Sequence, residues 1–379
     1  MTHSLIDRAH YPGLGQNVYL NQASLGLIGQ PAVQSMHDFL DEVARHGNIQ
    51  MSDEDEIHYV ENLRTLGAQF LNCSASQLAV LGSASELLGQ LPYMIRPEPG
   101  SNIVAVGSDF PAVTRPWIGY ANKNNCFLRY ANDKSTHDLT DQIIDLIDNR
   151  TSVVAVSYVQ FSTGSLIDVV RLRQATTHVD ARLIVDVTQA AGIMRIDFDA
   201  WNVDAVITSG YKWLGGHGGV GLAAVSPRLL KIMPPLLGWM GTGDPFNFKP
   251  TRIEIADDAR RFTISTMSYI SISGLAVSLG ELSALGDGAA EAHSRSLATE
   301  LIDGLRPLGW TPFRDLEDPS ASPHIISLSH PVIEAQSGFN ALRGRNIYCG
   351  IRNGRIRVSL APYNDSRDIQ GLIKVLAAD

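Results

Sequence analysis

The chain has 379 residues, of which 44% are hydrophobic and 18% are charged, a composition that can bury the core of roughly two to three domains. Its 39 Asp and Glu residues outnumber the 30 Lys and Arg residues, and the formal net charge of −9 argues against a nucleic-acid binder, which needs clustered cations. The sequence has no run of about 18 apolar residues and no apolar segment at its start, so we expect a cytoplasmic protein without membrane spans or a secretory signal.

The predicted elements begin with a helical pattern over residues 31–46, which has Pro31 at its first position. Short apolar runs and helical patterns then alternate through the middle of the chain. The predicted strands are 77–81, 102–106, 152–159, 183–187, 205–208 and 221–225, and the predicted helices between them are 85–95, 113–122, 139–148 and 169–178. This alternation predicts an α/β fold with a mainly parallel sheet that is covered on both faces.

The last third of the chain has a different pattern. Residues 237–259 are rich in Gly, Pro and Asp without periodicity, which predicts a long active-site or interface loop. Helices at 275–285 and 289–308 then lead to a small α+β segment with strands at 324–329 and 356–360 and helices at 338–345 and 366–378. We therefore expect a large domain at 50–240, a small domain made of 1–49 and 270–379, and a connecting, interface-forming segment at 241–269.

Two polar segments follow predicted strands of the large domain. Asp186 comes at the end of an apolar run, and Lys212 follows the next run along the chain, within Ser-Gly-Tyr-Lys-Trp at 209–213. Ligands of open α/β sheets bind at the carboxyl ends of the strands. Because an unpaired buried charge is costly, these two residues either pair with each other or serve a bound group.

The joint pattern is more specific than either residue. The segment D-x-x-Q-x-x-G at 186–192, followed by S-G-Y-K-W and a glycine-rich turn, resembles the class V aminotransferases, which are fold type I pyridoxal-phosphate enzymes. That family includes cysteine desulfurases, cysteine/cystine C–S lyases, kynureninases and isopenicillin N epimerases. The similarity runs from YLNQASLG at 19–26 to IRVSLAPYN at 356–364. It implies a three-layer sandwich with a small α+β C-terminal domain, and pyridoxal 5′-phosphate as cofactor.

The resemblance implies roles around the cofactor ring. Lys212 matches the lysine that holds the cofactor as a Schiff base and then acts as the base at Cα. Asp186 matches the acid that keeps the pyridine nitrogen protonated, and Gln189 matches a donor to the phenolic oxygen. Phe110 falls where desulfurases carry a histidine stacked on the ring, so we expect an aromatic stack without acid/base capacity.

The resemblance also implies a phosphate site. Residues 82–85 open a helical pattern, where the Ala84 N–H and the Ser85 hydroxyl can bind an anion. Ser209 and Tyr211 lie on the second phosphate-binding segment of the family. Thr266 ends a segment similar to the family's R-F-E-x-G-T, whose threonine reaches the phosphate of the neighbouring subunit. If Thr266 does the same, the active unit is a homodimer with shared active sites.

Four residues are candidates for contact with a small-molecule substrate. Arg357 matches the position at which family members bind the α-carboxylate, a task that suits a planar guanidinium. A surface arginine at a strand edge is the alternative. Arg352 either shares the role or faces water. Asn21 and Ser24 lie in the N-terminal motif, where substrate contacts are also expected.

The cysteines and one histidine limit which reactions of the family this chain is expected to catalyse. Cys73, Cys126 and Cys349 are scattered, which fits neither a disulfide framework nor a metal site, and we expect no metal. Cys349 is the candidate for a persulfide nucleophile, but it lies in a short apolar run without the longer loop of desulfurases, so we expect a structural thiol. His217, five residues after the lysine, is either a second acid/base or a solvated loop residue.

These residues together predict a reaction class. Without a cysteine nucleophile, and with similarity to the cystine lyase branch, the leading expectation is C–S β-elimination from an α-amino acid or amino-acid conjugate. Transamination, epimerisation and decarboxylation use the same apparatus and stay open. A catalytically inactive binding protein on this fold is the alternative from another class, which the joint presence of Lys212, Asp186 and Gln189 disfavours.

Overall fold

The computed structural model describes residues 1–378 of the chain. Its strands, in chain order, are β1 (Val18–Tyr19), β2 (Leu78–Leu81), β3 (Asn102–Val106), β4 (Phe127–Ala131), β5 (Thr151–Ser157), β6 (Arg182–Asp186), β7 (Ala205–Ser209), β8 (Gly221–Val225), β9 (Thr311–Pro312), β10 (Ile325–Ser329), β11 (Ile347–Tyr348), β12 (Gly350–Arg352) and β13 (Arg355–Ser359). Its α-helices are α1 (Gln30–His46), α2 (Asp53–Leu71), α3 (Ala84–Ile95), α4 (Pro111–Asn124), α5 (Leu139–Ile144), α6 (Val169–His178), α7 (Phe198–Trp201), α8 (Pro227–Leu230), α9 (Tyr269–Ala284), α10 (Ala289–Leu305), α11 (Ala335–Arg343) and α12 (Ser366–Leu376).

Seven strands form the large sheet, in the order β2-β8-β7-β6-β5-β3-β4. The neighbouring strands from β4 to β7 run parallel, and β8 pairs antiparallel with both β7 and β2. Parallel strands place their carboxyl ends at one edge of a sheet. The α/β fold with a mainly parallel sheet is therefore confirmed, and the ends of β5, β6 and β7 lie side by side.

The large sheet is buried on both faces. In β6, Leu183 and Val185 belong to one apolar cluster and Ile184 to another, because successive side chains of a strand point to opposite faces. Helices α2, α6 and α9 pack in the first cluster, and α3 and α4 pack in the second. The sheet and its two helical layers form the three-layer sandwich.

The C-terminal part forms a smaller α+β unit. Its antiparallel sheet has the order β12-β13-β10-β9, and its core includes Leu301 of α10, Trp310 and Val358. The N-terminal segment joins this unit, because β1 pairs with β11 and Leu20 is buried in the same core. Strand β13 lies inside the small sheet, between β12 and β10.

The limits of the small domain stay a prediction. The sequence places α1 and α9 in that domain, within 1–49 and 270–379. In the structure Ile272 and Leu275 of α9 are buried in a core of the large sheet, and Met36 of α1 lies against Gly274 of α9. Helix α9 therefore packs on the large sheet, and α1 packs on α9.

Some predicted elements differ from those observed. Helix α2 and strand β4 are absent from the predictions, although Ser52 and Asp55 form a capping box at the start of α2. Strand β4 lies at the edge of the sheet with Phe127 60% exposed, so it lacks the apolar run of a central strand. The predicted helix 139–148 ends at Ile144, because Asp145 is already its C-terminal cap.

Among residues 1–378, no single helix is long and apolar enough to cross a membrane. Helix α9 and the stretch Ala289–Leu308 are long and apolar enough only when they are taken together, and their axes are bent by 76° at the break between them.

Candidate active site

Polar residues gather where three neighbouring parallel strands end. Ser157, Asp186 and Ser209 are the last residues of β5, β6 and β7, and Lys212 lies three residues beyond Ser209. This edge is the ligand-binding edge of an open α/β sheet. The structure therefore brings the two charged residues of the sequence motif to the expected place.

Asp186 is a buried carboxylate with hydrogen bonds to a single neighbour. The Thr188 N–H donates to Oδ1 at 2.9 Å, and the Thr188 hydroxyl donates to Oδ2 at 3.2 Å. Burial raises the pKa of Asp186 to about 6, against the opposing effects of the Thr188 N–H and the charge of Lys212. The carboxylate can hold a proton on a basic ring atom at neutral pH.

Lys212 is a buried amine that faces aromatic rings. Its Nζ lies 5.0 Å from the centroid of the Phe110 ring and 5.7 Å from that of the Tyr211 ring. Within residues 1–378, Nζ has no hydrogen-bond or ion-pair partner, so the alternative in which Lys212 simply pairs with Asp186 is wrong. Burial lowers the pKa of Lys212 to about 8, although the charge of Asp186 opposes this. The amine is therefore able to act as a nucleophile or base near neutral pH.

The backbone of Lys212 is held by the N-terminal segment. The Gln22 side chain donates from Nε2 to the Lys212 carbonyl at 2.9 Å, and the Gly26 N–H donates to the Tyr211 carbonyl at 3.0 Å. A Cβ at position 26 would overlap the Lys212 carbonyl oxygen, so only glycine permits this approach. The tight packing fixes the base from which the lysine side chain extends.

The Gln189 carboxamide is fixed on both sides. Its Nε2 donates to the Ala23 carbonyl at 3.1 Å, and its Oε1 accepts from the Trp213 indole at 2.8 Å. Nε2 keeps a second N–H that can still donate to a ligand. His324 donates from Nε2 to the Gln189 backbone carbonyl at 2.5 Å, and burial lowers the pKa of His324 to about 4, so this histidine is neutral.

Asp109 is a buried carboxylate that the sequence reasoning passed over. It accepts the Ser157 N–H at 2.8 Å, the Ser157 hydroxyl at 2.6 Å, Gln160 Nε2 at 3.2 Å and the Phe110 N–H at 2.6 Å. Burial raises its pKa, and its charge in turn raises the pKa of Asp186. The sequence did contain a signal for Asp109, which is an acid close to the end of an apolar run. The same pattern singled out Asp186.

The Phe110 ring lies near the Lys212 amine and packs on a second phenylalanine. The Phe110 ring packs edge-to-face on Phe161 with a centroid distance of 5.5 Å, and Phe110 keeps 39% of its surface exposed. Because Asp109 accepts the Phe110 N–H, the ring is held at the start of α4. A flat ligand can stack on the exposed ring face above Lys212.

Two of the expected phosphate-binding segments lie close together at the start of α3. This helix begins at Ala84, with Ser83 as the cap that accepts the Glu86 N–H at 3.3 Å. Gly221 of β8 pairs with Ser209 of β7, and a Cβ at Gly221 would lie 3.0 Å from the Ala84 nitrogen. The start of α3 therefore lies close to the end of β7 at Ser209, while Ser85 is exposed.

Arg357 is buried and not a surface arginine. It is 1% exposed in β13, and it donates from Nη1 to the Phe161 carbonyl at 2.8 Å and from Nη2 to Ser24 Oγ at 2.8 Å and Asn21 Oδ1 at 3.3 Å. Burial, together with the charge of Arg352, lowers the pKa of Arg357 to about 9. Arg352 donates from Nη2 to the same Ser24 oxygen at 3.0 Å. The structure therefore brings all four candidate substrate residues together.

Two other candidates lie apart from this cluster. His217 is exposed, and its Nδ1 lies 2.9 Å from the carbonyl oxygen of Gly218. Thr266 is also exposed. Within one copy of residues 1–378, neither side chain hydrogen-bonds to Lys212, so their roles stay predictions.

The three cysteines are held in the protein interior or partly covered. Cys349 is 5% exposed between β11 and β12, and burial raises its pKa to about 12. Burial also raises the pKa of Cys73 to about 12, and Cys126 is buried. In the described part of the chain, no cluster of His, Cys, Asp and Glu is placed to hold a metal ion.

The donor set fits pyridoxal 5′-phosphate. Lys212 offers a buried amine without a partner, Asp186 offers a buried acid, Phe110 offers a ring face, and Ala84 opens a helix N-terminus for a phosphate. An amine and an acid that are both buried and not paired with each other are costly unless a ligand engages both. A flat heterocycle with an aldehyde, a basic ring nitrogen and a phosphate meets all four groups.

Comparisons with known proteins also indicate a pyridoxal 5′-phosphate site. A family model described as aminotransferase class V matches residues 18–372. The chain belongs to this family. Its membership confirms the resemblance seen in the sequence and, with it, pyridoxal 5′-phosphate as the cofactor.

The relatives within this family carry more than one activity in their names. The cysteine desulfurase CsdA of Escherichia coli is 25% identical over 390 residues, which cover 97% of this chain and 96% of CsdA. An uncharacterised aminotransferase of Bacillus subtilis, YcbU, is 21% identical over 378 residues, which cover 98% of this chain and 96% of YcbU. The relatives therefore establish the family but leave the reaction open.

Solved structures show the fold. A mutant of C-DES with glycine covalently linked to its PLP cofactor matches with a TM-score of 0.89 at 19% identity, over 98% of this chain and 99% of that one. A complex of C-DES, described as a cystine C–S lyase, with its product cysteine persulfide matches with a TM-score of 0.87 at 19% identity, over 97% and 99%. The aminotransferase class-V fold thus extends over nearly the whole chain.

Proposed function

We propose that this member of the family is a lyase that eliminates a sulfur-linked group from Cβ of an α-amino acid or amino-acid conjugate. One observation carries the proposal: the buried Lys212 amine lies free beside the Phe110 ring, while Cys349 is buried with its pKa raised to about 12. The site therefore has a base for Cα but no reactive thiol to take up sulfur.

Lys212 and Asp186 divide the acid/base work. The bound cofactor supplies an electron-withdrawing ring that stabilises negative charge at the substrate Cα. Lys212 would hold the cofactor through its amine and would accept the Cα proton of the substrate, for which a pKa of about 8 is suitable. Asp186 would keep a proton on a basic ring atom of the cofactor, and its contacts with Thr188 keep the carboxylate oriented.

Arg357 orients the substrate. Its guanidinium binds the α-carboxylate, and the contacts to the Phe161 carbonyl and Ser24 hold it in place. Phe110 and Phe161 shield the reacting carbon from water, which strengthens the electrostatic interactions of the site. A carboxylate held in this way favours cleavage of the Cα–H bond.

The cysteines favour elimination over sulfur transfer through the protein. A transfer enzyme needs an exposed thiolate that reaches the substrate sulfur. Cys349 lies next to Arg357 but is enclosed between two strands of the small domain. The sulfur therefore leaves with the product. The description of C-DES as a cystine C–S lyase supports this reading.

Purified protein with added cofactor tests the proposal. We expect a visible absorbance band that is lost in Lys212→Ala and kept in the control Lys231→Ala, since Lys231 is an exposed lysine. Incubation with cystine, cysteine conjugates and plain amino acids is then followed by assays of pyruvate, thiol and keto acids. Conversion of the cofactor to its amine form without pyruvate would establish transamination instead, and a protein that binds no cofactor would be a non-catalytic binding protein.

We further propose a homodimer in which Thr266 serves the neighbouring site. Thr266 is exposed, and the nearby segment presents exposed apolar side chains, including Leu237, Trp239, Phe248 and Ile253. Such a surface is typical of a protein interface. Mixing Lys212→Ala and Thr266→Ala proteins under exchanging conditions restores activity if Thr266 acts across the interface. No recovery in mixed dimers would refute that role.

A further inference from the structure

Three distant segments of the chain meet at Gln189. Its side chain donates to the Ala23 carbonyl at 3.1 Å and accepts from the Trp213 indole at 2.8 Å, and its backbone carbonyl lies 2.5 Å from His324 Nε2. Ala23 and His324 are 166 and 135 positions away from Gln189 in the sequence. The orientation of this buried carboxamide is therefore set by tertiary contacts and not by the turn that contains it.

His324 is a neutral donor with one fixed tautomer. It is fully buried, and burial lowers its pKa to about 4, so the imidazole carries a single ring proton at neutral pH. A carbonyl oxygen only accepts hydrogen bonds, so this proton lies on Nε2, beside the Gln189 carbonyl. Nδ1 is buried and has no hydrogen-bond partner among residues 1–378. Within that part of the chain, the single polar contact of the His324 side chain is the one to Gln189.

The same imidazole ring also supports the Gln189 side chain indirectly. It packs edge-to-face on the Trp213 indole, with a centroid distance of 4.7 Å and an interplanar angle of 88°. Trp213 follows Lys212 in the chain, and its indole N–H is the donor to Gln189 Oε1. Because this bond fixes the plane of the carboxamide, His324 constrains Gln189 at both its backbone and its side chain.

His324 itself belongs to the small α+β unit. It directly precedes β10, and its carbonyl accepts the Leu360 N–H at 2.9 Å, next to the end of β13. Burial of a polar side chain costs free energy that an apolar residue at the same place would avoid. The small core gives no return for this cost, because the side chain contacts Gln189 beyond the end of β6. Histidine at this position therefore serves the contact with Gln189.

We propose that His324 is a positioning residue for the cofactor, which holds Gln189 so that the remaining N–H of its carboxamide donates to the phenolic oxygen. A donor at this oxygen stabilises its ionised form. The cofactor absorbs visible light when the oxygen is ionised and near-ultraviolet light when it is protonated, so its spectrum reports on this contact. The proposal rests on cofactor binding and not on which bond of the substrate is broken.

The test is the ratio of visible to near-ultraviolet absorbance of the bound cofactor, measured at one fixed pH without substrate. We expect His324→Phe, which keeps a ring against Trp213 but removes the donor, to lower this ratio about twofold to tenfold, the range of one neutral hydrogen bond. His324→Asn is too short to reach the Gln189 carbonyl and should lower it as well, and it provides the same test if the Phe ring disturbs the fold. His324→Gln places an amide N–H near the position of Nε2 and should retain most of the wild-type ratio. A wild-type ratio in both His324→Phe and His324→Asn would overturn the proposal.

The matched control is a second buried histidine. His293 Nε2 lies 3.1 Å from the Asn364 carbonyl oxygen in the C-terminal part of the chain, and burial lowers its pKa too. We expect His293→Phe to lower the stability in urea unfolding and to leave the absorbance ratio unchanged. An equal fall of the ratio in His293→Phe and His324→Phe would contradict a specific role, because any loosening of the fold would then have the same effect.

A double variant separates positioning through Gln189 from other effects. In a Gln189→Ala background, His324→Phe should change the ratio no further, because the group that it positions is absent. Additive changes would refute a role through Gln189, and a wild-type spectrum in Gln189→Ala alone would remove the donor and with it the proposal. If these spectral differences are found in a protein that forms no elimination products, the lyase function is removed and the role of His324 stands.

Discussion

Replacing Asp186 by Asn tests the electrostatic cost that the site imposes on the fold. Burial raises the pKa of Asp186 from 3.8 to about 6, so the folded chain binds this proton more tightly than the unfolded chain. Stability contributed by this group is therefore full below the unfolded pKa and is lost as the pH rises to about 6. Above that pH, the ionised buried carboxylate destabilises the fold.

The structure sets the size of the effect. A difference of this size between the unfolded and folded pKa corresponds to about 3 kcal/mol in the free energy of unfolding at pH 8. Asn keeps the bond from the Thr188 N–H, and its amide can donate to the Thr188 hydroxyl, which rotates to accept. Loss of the favourable interaction with the Lys212 charge offsets part of the gain. We expect the variant to be more stable by about 1 to 3 kcal/mol at pH 8.

Urea unfolding of the protein without cofactor, at pH 5 and pH 8, measures this prediction. We expect the advantage of Asp186→Asn at pH 8 to fall to about half at pH 5, because the wild-type carboxylate is then mostly protonated. The matched control is Asp258→Asn. Burial raises the pKa of Asp258, but hydrogen bonds from Arg260 outweigh it and the net pKa is lowered, so this change should destabilise the protein at pH 8. A loss of stability in Asp186→Asn at pH 8, or a gain that does not depend on pH, would refute the reasoning.

Three further predictions follow from the site. Cys349→Ser should leave the elimination rate unchanged, and loss of activity would contradict the lyase proposal. Because the Cys349 thiol is buried with a pKa of about 12, it should react with a thiol reagent only when the protein unfolds. Gly26→Ala should weaken cofactor binding, because its Cβ overlaps the Lys212 carbonyl, whereas Gly280→Ala on the open face of α9 should have no such effect in the same absorbance titration. The rate of chemical labelling of the Lys212 amine in the cofactor-free protein should rise with pH with a midpoint at about pH 8. Arg357→Gln should move this midpoint to higher pH, because a nearby positive charge is removed. An unchanged midpoint would contradict an interaction between the two charges.

The large sheet and its ligand-binding edge could be predicted from local pattern. A run of apolar residues that ends in a polar group marks a buried strand and the point where it stops, which located both Asp186 and Lys212. The cofactor followed from the motif that joins them. Helix α2 carried a readable capping box and was missed, while the edge strand β4 has no apolar run to read.

The substrate side of the site depends on contacts that the pattern does not contain. Arg357 and Ser24 are 333 positions apart and meet only because β1 pairs with β11 and the N-terminal segment lies along β13. The contacts of Asp109 also depend on the tertiary structure. Strand β3 lies beside β5 in the sheet, and this pairing brings Asp109 to Ser157.

The sequence by itself determined the central strands of the large sheet, the cofactor motif and the identity of each charged group. Tertiary structure decided how deeply those groups are buried, and burial is what lowers the pKa of Lys212, raises that of Asp186 and encloses Cys349. The physical reason is that periodicity and turn chemistry are short-range properties of the chain. The desolvation of a charge, in contrast, depends on every segment that packs around it.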